Sequence, residues 1–359
     1  MKKVFFLGIA AATMLASCSK DETVDVPQGK AIGFSNTFVD NATRSVVDPS
    51  FKKETLPNFA VYGFTQNGQI FDGVPVSSAD NGSTWTYDPI QYWVEGNQYT
   101  FAAIAPASVS VSGATRTGTS VDDYKVGMTV SFTNDGKTDL LYANGGAFNA
   151  DATFMASPDP VSLTFKHQLS KVKFSFKNNV SGAYKIKVTD VKITNAKSTG
   201  TLTIGDQTTA NTWGNSATGN VSLDFGNVVA AEATGTDVAN TAQPIDFIKE
   251  GETYNEQLMI PTASTESYNV TFTVELLNGT VSMGIYNHTA TIKGVELKLG
   301  YCYDFAAELN ADNIVVDPDD PDDPDAQLKP ITFTVNEISG WIDTDEDQTI
   351  DIPSAGNGQ

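Results

Sequence analysis

Two histidines and two cysteines are the strongest candidates in this chain for nucleophilic or metal chemistry, and their spacing argues against both. His167 stands in Phe165-Lys166-His167-Gln168-Leu169, and His288 stands in Tyr286-Asn287-His288-Thr289. They are far apart in sequence and neither belongs to a zinc-type ligand pattern. A dyad of Cys302 with either histidine would lack any local signature of a thiol enzyme. Both histidines therefore read as structural. Cys302, in Gly300-Tyr301-Cys302-Tyr303-Asp304-Phe305, reads as a small buried hydrophobe. Carboxylates are abundant, but a glycosidase needs two of them about 5–10 Å apart in a cleft, one with a raised pKa. Here they crowd into Asp317–Asp325 and Asp343–Asp347, where solvent keeps them ionised. The second run starts like a calcium loop, yet Gln348 and Ser354 stand where glycine and a bidentate glutamate belong. No enzyme activity, metal or cofactor is expected. Trp85, Tyr87, Tyr92 and Trp93 offer one other chemistry, a flat sugar-stacking platform on a surface glycan-binding lipoprotein. Alternation puts Trp85 and Tyr87 on one strand face, the usual arrangement of core rings.

Cys18 is a different case. Lys2 and Lys3 precede an apolar run from Val4 to Ala16, then Leu15-Ala16-Ser17-Cys18. A basic start, a short apolar core and small residues at the cut make a secretory leader, too short for a permanent span. Ending on cysteine, the tetrad resembles the lipobox of bacterial lipoproteins, which implies cleavage between Ser17 and Cys18 and a lipid on the Cys18 thiol. An ordinary leader with an incidental cysteine is the other reading. Ser19-Lys20-Asp21-Glu22 resembles the acidic signal that exports some lipoproteins to the outer face of the outer membrane. The expected location is the surface of the cell outer membrane.

The chain carries 22 basic and 43 acidic residues, a net charge of −21 that nears −23 without Lys2 and Lys3. Such a protein repels nucleic acid and anionic headgroups, so membrane attachment falls to the acyl chain. With Cys18 acylated, no intrachain disulfide remains and hydrophobic cores must hold the fold. Period-two alternation recurs throughout: Ile32–Phe38, Phe59–Phe64, Tyr99–Ile104, Met128–Phe132, Val172–Phe176, Val270–Leu276 and Ile285–Ile292. This predicts an all-β chain of one-sided sheets, most simply two β-sandwiches in tandem. The expected divisions are a leader over 1–17, a linker over 18–29, sandwiches over 30–157 and 158–313, an acidic proline-rich tether over 314–330, and a strand with an acidic tail over 331–359. Thr208–Thr218 reads as a surface loop. The strand of Ile331, Phe333, Val335 and Ile338 cannot bury its apolar face alone, so it must return to the second sandwich or pair with another chain.

Several phrases resemble the fimbrillin family of fimbrial subunits. They are Ala31-Ile32-Gly33-Phe34, Ala42-Thr43-Arg44, Gln91-Tyr92-Trp93, Tyr99–Ala103, Thr138-Asp139-Leu140-Leu141-Tyr142-Ala143, Leu163–Phe176, Leu258-Met259-Ile260-Pro261 and a last apolar strand closing on Trp341. The resemblance implies two transthyretin-like sandwiches, no catalysis, other fimbrial subunits as partners, and a host or bacterial surface ligand in an adhesive role. It also implies assembly by donor-strand exchange. A protease cuts after an arginine in the first strand, and a strand of the next subunit fills the groove left behind. Arg44 and Ser45 are the expected cut. Arg44 follows the first apolar strand, and the mature chain has only one other arginine, Arg116. A plain surface arginine is the alternative. Ile331, Phe333, Val335 and Ile338 are the expected donor strand.

Overall fold

The computed structural model describes residues 29–39, 58–80, 82–180, 184–205, 210–214, 218–228, 256–314 and 331–340. Among these it is all-β, as expected, with α-helices of only five and four residues and one 3-10 turn. The first sheet runs β1 (Phe34–Val39), β8 (Val161–His167), β7 (Leu141–Asn149), β4 (Gln98–Ala105), β2 (Phe59–Thr65), β3 (Gly68–Val76). The second runs β15 (Val281–Val295), β14 (Glu266–Asn278), β10 (Tyr184–Ile204), β6 (Lys125–Thr133), β5 (Ser110–Thr117). Strands β11 (Thr212–Trp213) and β12 (Thr218–Val228) also pair with β10. The third runs β13 (Gln257–Met259), β9 (Ser170–Asn178), β16 (Tyr301–Leu309), β17 (Phe333–Gly340).

Strand parity decides which core each side chain enters. In β6, Val126, Met128, Val130 and Phe132 turn inward and their neighbours outward, the expected one-sided pattern. The first sheet departs from it, because β2 is buried along its whole length. Phe59 and Val61 enter one core with Phe71, Phe101 and Trp93, while Ala60, Tyr62 and Phe64 enter another with Met128, Val130 and Leu202. The expectation of one-sided sheets is thus corrected: two layers of cover press on this sheet. Gly63 permits the crowding, since a β-carbon there would come within 2.8 Å of the Phe101 ring and 2.9 Å of the Phe71 ring. A third core lies between the four-stranded sheet and the inner faces of β10, β12, β14 and β15.

Two further expectations need amendment. Thr208–Thr218 is not wholly loop: β11 pairs with β10, and Trp213 is buried with its indole N–H donating to the Gln168 carbonyl at 2.7 Å. Cys302 does not face the core. Tyr303, Phe305 and Ala307 do, leaving Cys302 half-buried on the opposite, polar face of β16. β8 begins just after Pro158 and Pro160 and pairs with β7 and β1 in the first sheet.

β10 is the longest element, with 21 residues. Its first half pairs with β14 from Tyr184 to Ile193, and its last six residues pair with β6. Asp190 interrupts the register at φ 54°, a left-handed conformation that aspartate tolerates better than most residues.

Candidate functional site

Two outer strands lie nearest the ends of the described chain. The N-terminal one begins before β1. Ile32 N–H donates to the Gln91 carbonyl at 2.9 Å, Trp93 N–H donates to Lys30 at 2.9 Å, and Val161 N–H donates to Gly33 at 2.8 Å. The Tyr87 hydroxyl donates to Ile32 at 2.7 Å. Ile32 and Phe34 are almost fully buried. The Phe34 ring meets Phe59, Phe71, Tyr87 and Phe101 edge-on, with centroids 5.5–6.4 Å away. That geometry suits the ring quadrupole. The backbone pairing is less regular: β1 runs parallel to β8 and slips register between Ser35 and Phe38. Side-chain anchors, more than the ladder, hold this strand. Arg44 and Ser45 lie outside the described residues, as do Ser17 and Cys18, the acidic proline tether and the acidic tail.

The C-terminal outer strand is β17, antiparallel to β16 from Phe333 opposite Ala307 to Gly340 opposite Tyr301. Ile331, Phe333 and Val335 are half-buried against the third core. The Phe333 ring lies 5.6, 5.9 and 6.0 Å from Phe174, Phe176 and Phe272. Ile338 stands opposite Cys302 in the ladder. In this structure the expected donor strand is seated on its own chain.

The reverse face of this sheet is polar yet partly closed. Lys171 pairs with Glu256 at 3.3 Å, both nearly buried, and Lys177 reaches Glu308 at 2.8 Å. Between them the Ser175 hydroxyl donates to Asp304 at 2.8 Å, with Lys173 opposite Asp304 in register. Burial pushes the Asp304 carboxyl up, and Ser175 and Lys173 pull part of that back. The ladder neutralises charge within a sheet.

Both histidines are structural, for different reasons. His167 Nδ1 meets the Asp139 carboxylate in a buried pair, and the other Asp139 oxygen accepts the Leu140 N–H at 2.7 Å. The two phrases Thr138–Ala143 and Phe165-Lys166-His167 thus clasp one another where β7 and β8 meet. Sequence reasoning placed Asp139 in a phrase but did not see this partner. His288 stacks on Phe272 at 5.3 Å, and its buried Nε2 has no hydrogen-bond partner. Burial holds its pKa below the usual value. Above about pH 6.5 the ring is neutral in both states. As pH falls the unfolded chain takes up the proton first, so stability is lost through the folded-state pKa. The melting temperature should therefore fall between pH 7 and pH 5, and His288→Leu should make that slope shallower. Equal slopes would assign the acid sensitivity elsewhere.

The aromatic platform is not formed. Trp93 is 2 % exposed, Trp85 and Tyr87 pack against the first-sheet core, and only Tyr92 is open at 51 %. No group of metal-ligating side chains occurs among the described residues, and no described helix is long and apolar enough to cross a membrane.

The described residues form an all-β protein of three sheets, with no assembled catalytic group among them. A family model for fimbrillin-like proteins matches residues 43–318, and the chain belongs to that family. No curated protein matches it. Among solved structures, a candidate cell adhesion protein from Bacteroides ovatus is 14% identical, with 89% of this chain and 99% of that chain covered and a TM-score of 0.43. One from Bacteroides uniformis is 13% identical, covering 88% and 99%, with a TM-score of 0.41. The fimbrial anchor protein Mfa2 from Porphyromonas gingivalis is 12% identical, covering 87% and 100%, with a TM-score of 0.30.

Proposed function

We propose that this chain is a surface-anchored fimbrial structural subunit or fimbrillin-like cell-adhesion protein. It is held to the outer membrane by lipid on Cys18, organised as two sandwich units, and joined to other subunits by donor-strand exchange. The observation that carries this reading is the first strand, an outer strand whose anchors Ile32 and Phe34 fill an aromatic socket. A cut after Arg44 frees that strand from covalent attachment to the rest. The vacated socket would regain about 1.5–3 kcal/mol for each large apolar side chain of a replacement strand. An antiparallel donor would also pair slightly better than the parallel β1. β17 and the residue two before it supply Ile331, Phe333 and Val335 at alternate positions, and their own seat leaves them half-buried. Full burial in a neighbour's groove favours the exchange, with β-strand addition as the binding mode.

An arginine-specific protease applied to the full chain should cut at Arg44 while all three cores stay folded. The cut protein should then form a ladder of oligomers whose subunits begin at Ser45. Fibres whose subunits still begin at Cys18 would show that this chain is not processed and would leave it an anchoring role.

A further inference from the structure

Six large apolar side chains are exposed among the described residues. Three of them, Val281, Met283 and Ile285, fall within the first five residues of β15 at 63, 51 and 65 %. β15 is the outermost strand of its sheet, and no described strand pairs with its free edge. Open strand edges are normally guarded by charge, proline or a bulge, because their unpaired backbone groups recruit other strands. The other long edges here follow that rule. β3 carries Asp72, Pro75 and a left-handed Gly73, and β5 carries Arg116 with a register slip. β12 carries Asp224 and left-handed Gly219 and Gly226, and β17 carries Glu337. β15 has such guards only at its two ends, a bulge at Met283 and, beyond Ile292, Lys293 with a left-handed Gly294 and a second register slip; from Gly284 to Ile292 the register with β14 is unbroken. No charged residue and no proline occurs from Val281 to Ile292. His288 is turned inward against Phe272, and burial keeps it neutral near pH 7.

We propose that β15 is a homotypic contact surface, on which the β15 strand of a second copy of this chain pairs edge to edge, antiparallel across a two-fold axis. Charge selects the occupant. Copies of a chain at −21 repel one another through acidic surfaces, and this long uncharged edge lets two of them approach without opposing carboxylates. A charged ligand would find no counter-charge along it. An antiparallel strand is self-complementary about a two-fold axis. Outward-facing Ile285, Asn287, Thr289 and Thr291 would meet the same set reversed, uncharged at each crossing. The contact is lateral. β1 and β17 belong to the other two sheets, so it leaves both end strands available for growth.

The test uses the full mature chain, uncut at Arg44, with Cys18 and Cys302 replaced by serine. Sedimentation equilibrium should show a concentration-dependent dimer. Asn287→Lys, and separately Thr289→Lys, should weaken it by about tenfold or more, because each places like charges opposite one another. Neither change touches a core, and an unaltered melting temperature of the monomer would confirm intact folding. Single cysteines at 285, 287, 289 and 291 should form disulfide-linked dimers fastest at the position nearest the axis, with rates falling on either side. Tyr92→Lys, on the other exposed apolar row, should change nothing. A chain that stays monomeric at every concentration would overturn the proposal. So would a dimer indifferent to both lysines, or one lost with Tyr92→Lys instead.

Discussion

Deleting residues 326–359, and β17 with them, should destabilise the core between the four-stranded sheet and β14 by about 2–4 kcal/mol. The figure follows from three half-buried side chains, Ile331, Phe333 and Val335, each worth about 1.5–3 kcal/mol when fully buried. Phe333 is the largest part, because its ring closes a cage of Phe174, Phe176 and Phe272. Denaturant unfolding should move to a lower midpoint, and limited proteolysis should begin in β16, whose outer partner is gone. Adding a peptide of residues 331–340 in trans should restore part of the loss in proportion to its concentration, as a ligand of the folded state does. A truncated chain that unfolds at the wild-type midpoint would mean that β17 contributes nothing to its own core. Its only role would then be outside the subunit.

Asp139→Ala should cost about as much or more, roughly 3–5 kcal/mol, because it breaks a buried pair and leaves one partner behind. The Asp139 side chain has no exposed surface and that of His167 has 3%. Alanine would strand the imidazole and also the Leu140 N–H, which now donates to the same carboxylate. Replacing both members, as Asp139→Leu with His167→Leu, should cost less than the two single changes added together. A double-mutant cycle in denaturant midpoints reads that coupling directly. Additive losses would show that the two side chains do not act on each other.

How much of this was legible depended on whether the controlling contacts were local. β6 and β14 alternate cleanly because one face meets a core and the other meets solvent, and their inward residues follow from spacing alone. In Phe59-Ala60-Val61-Tyr62-Gly63-Phe64 both parities are apolar, a sign of two-sided burial that an alternating reading smooths over. The second cover comes from Trp85, Tyr87 and Trp93, which stand in irregular backbone with no period of their own. β9 deceived in the opposite sense. Its alternating lysines look solvent-facing, yet Lys171 and Lys173 are buried because Glu256 and Asp304 arrive from strands far along the chain. The Asp139–His167 clasp was hidden for a simpler reason: in a chain with 43 acidic residues, no spacing marks which carboxylate a histidine will meet. The end strands were visible as apolar runs. Whether such a strand closes its own sheet or leaves it is a competition between two seats, and alternation scores both alike.

β10 settles how force would travel through the molecule. A strand of 21 residues is at most about 70 Å of extended chain, and it is bonded to β14 near one end and to β6 at the other. A pull entering through β6 and leaving through β14 need not cross a slack connector. It runs along one covalent backbone, with rows of ladder bonds on both flanks loaded in shear and sharing the strain. Bending the two halves against each other means tearing those rows apart, except near Asp190, where the register already slips. A filament of subunits joined as proposed above would flex at its joints and not within its units, and its stiffness would be set by how tightly each end strand is gripped.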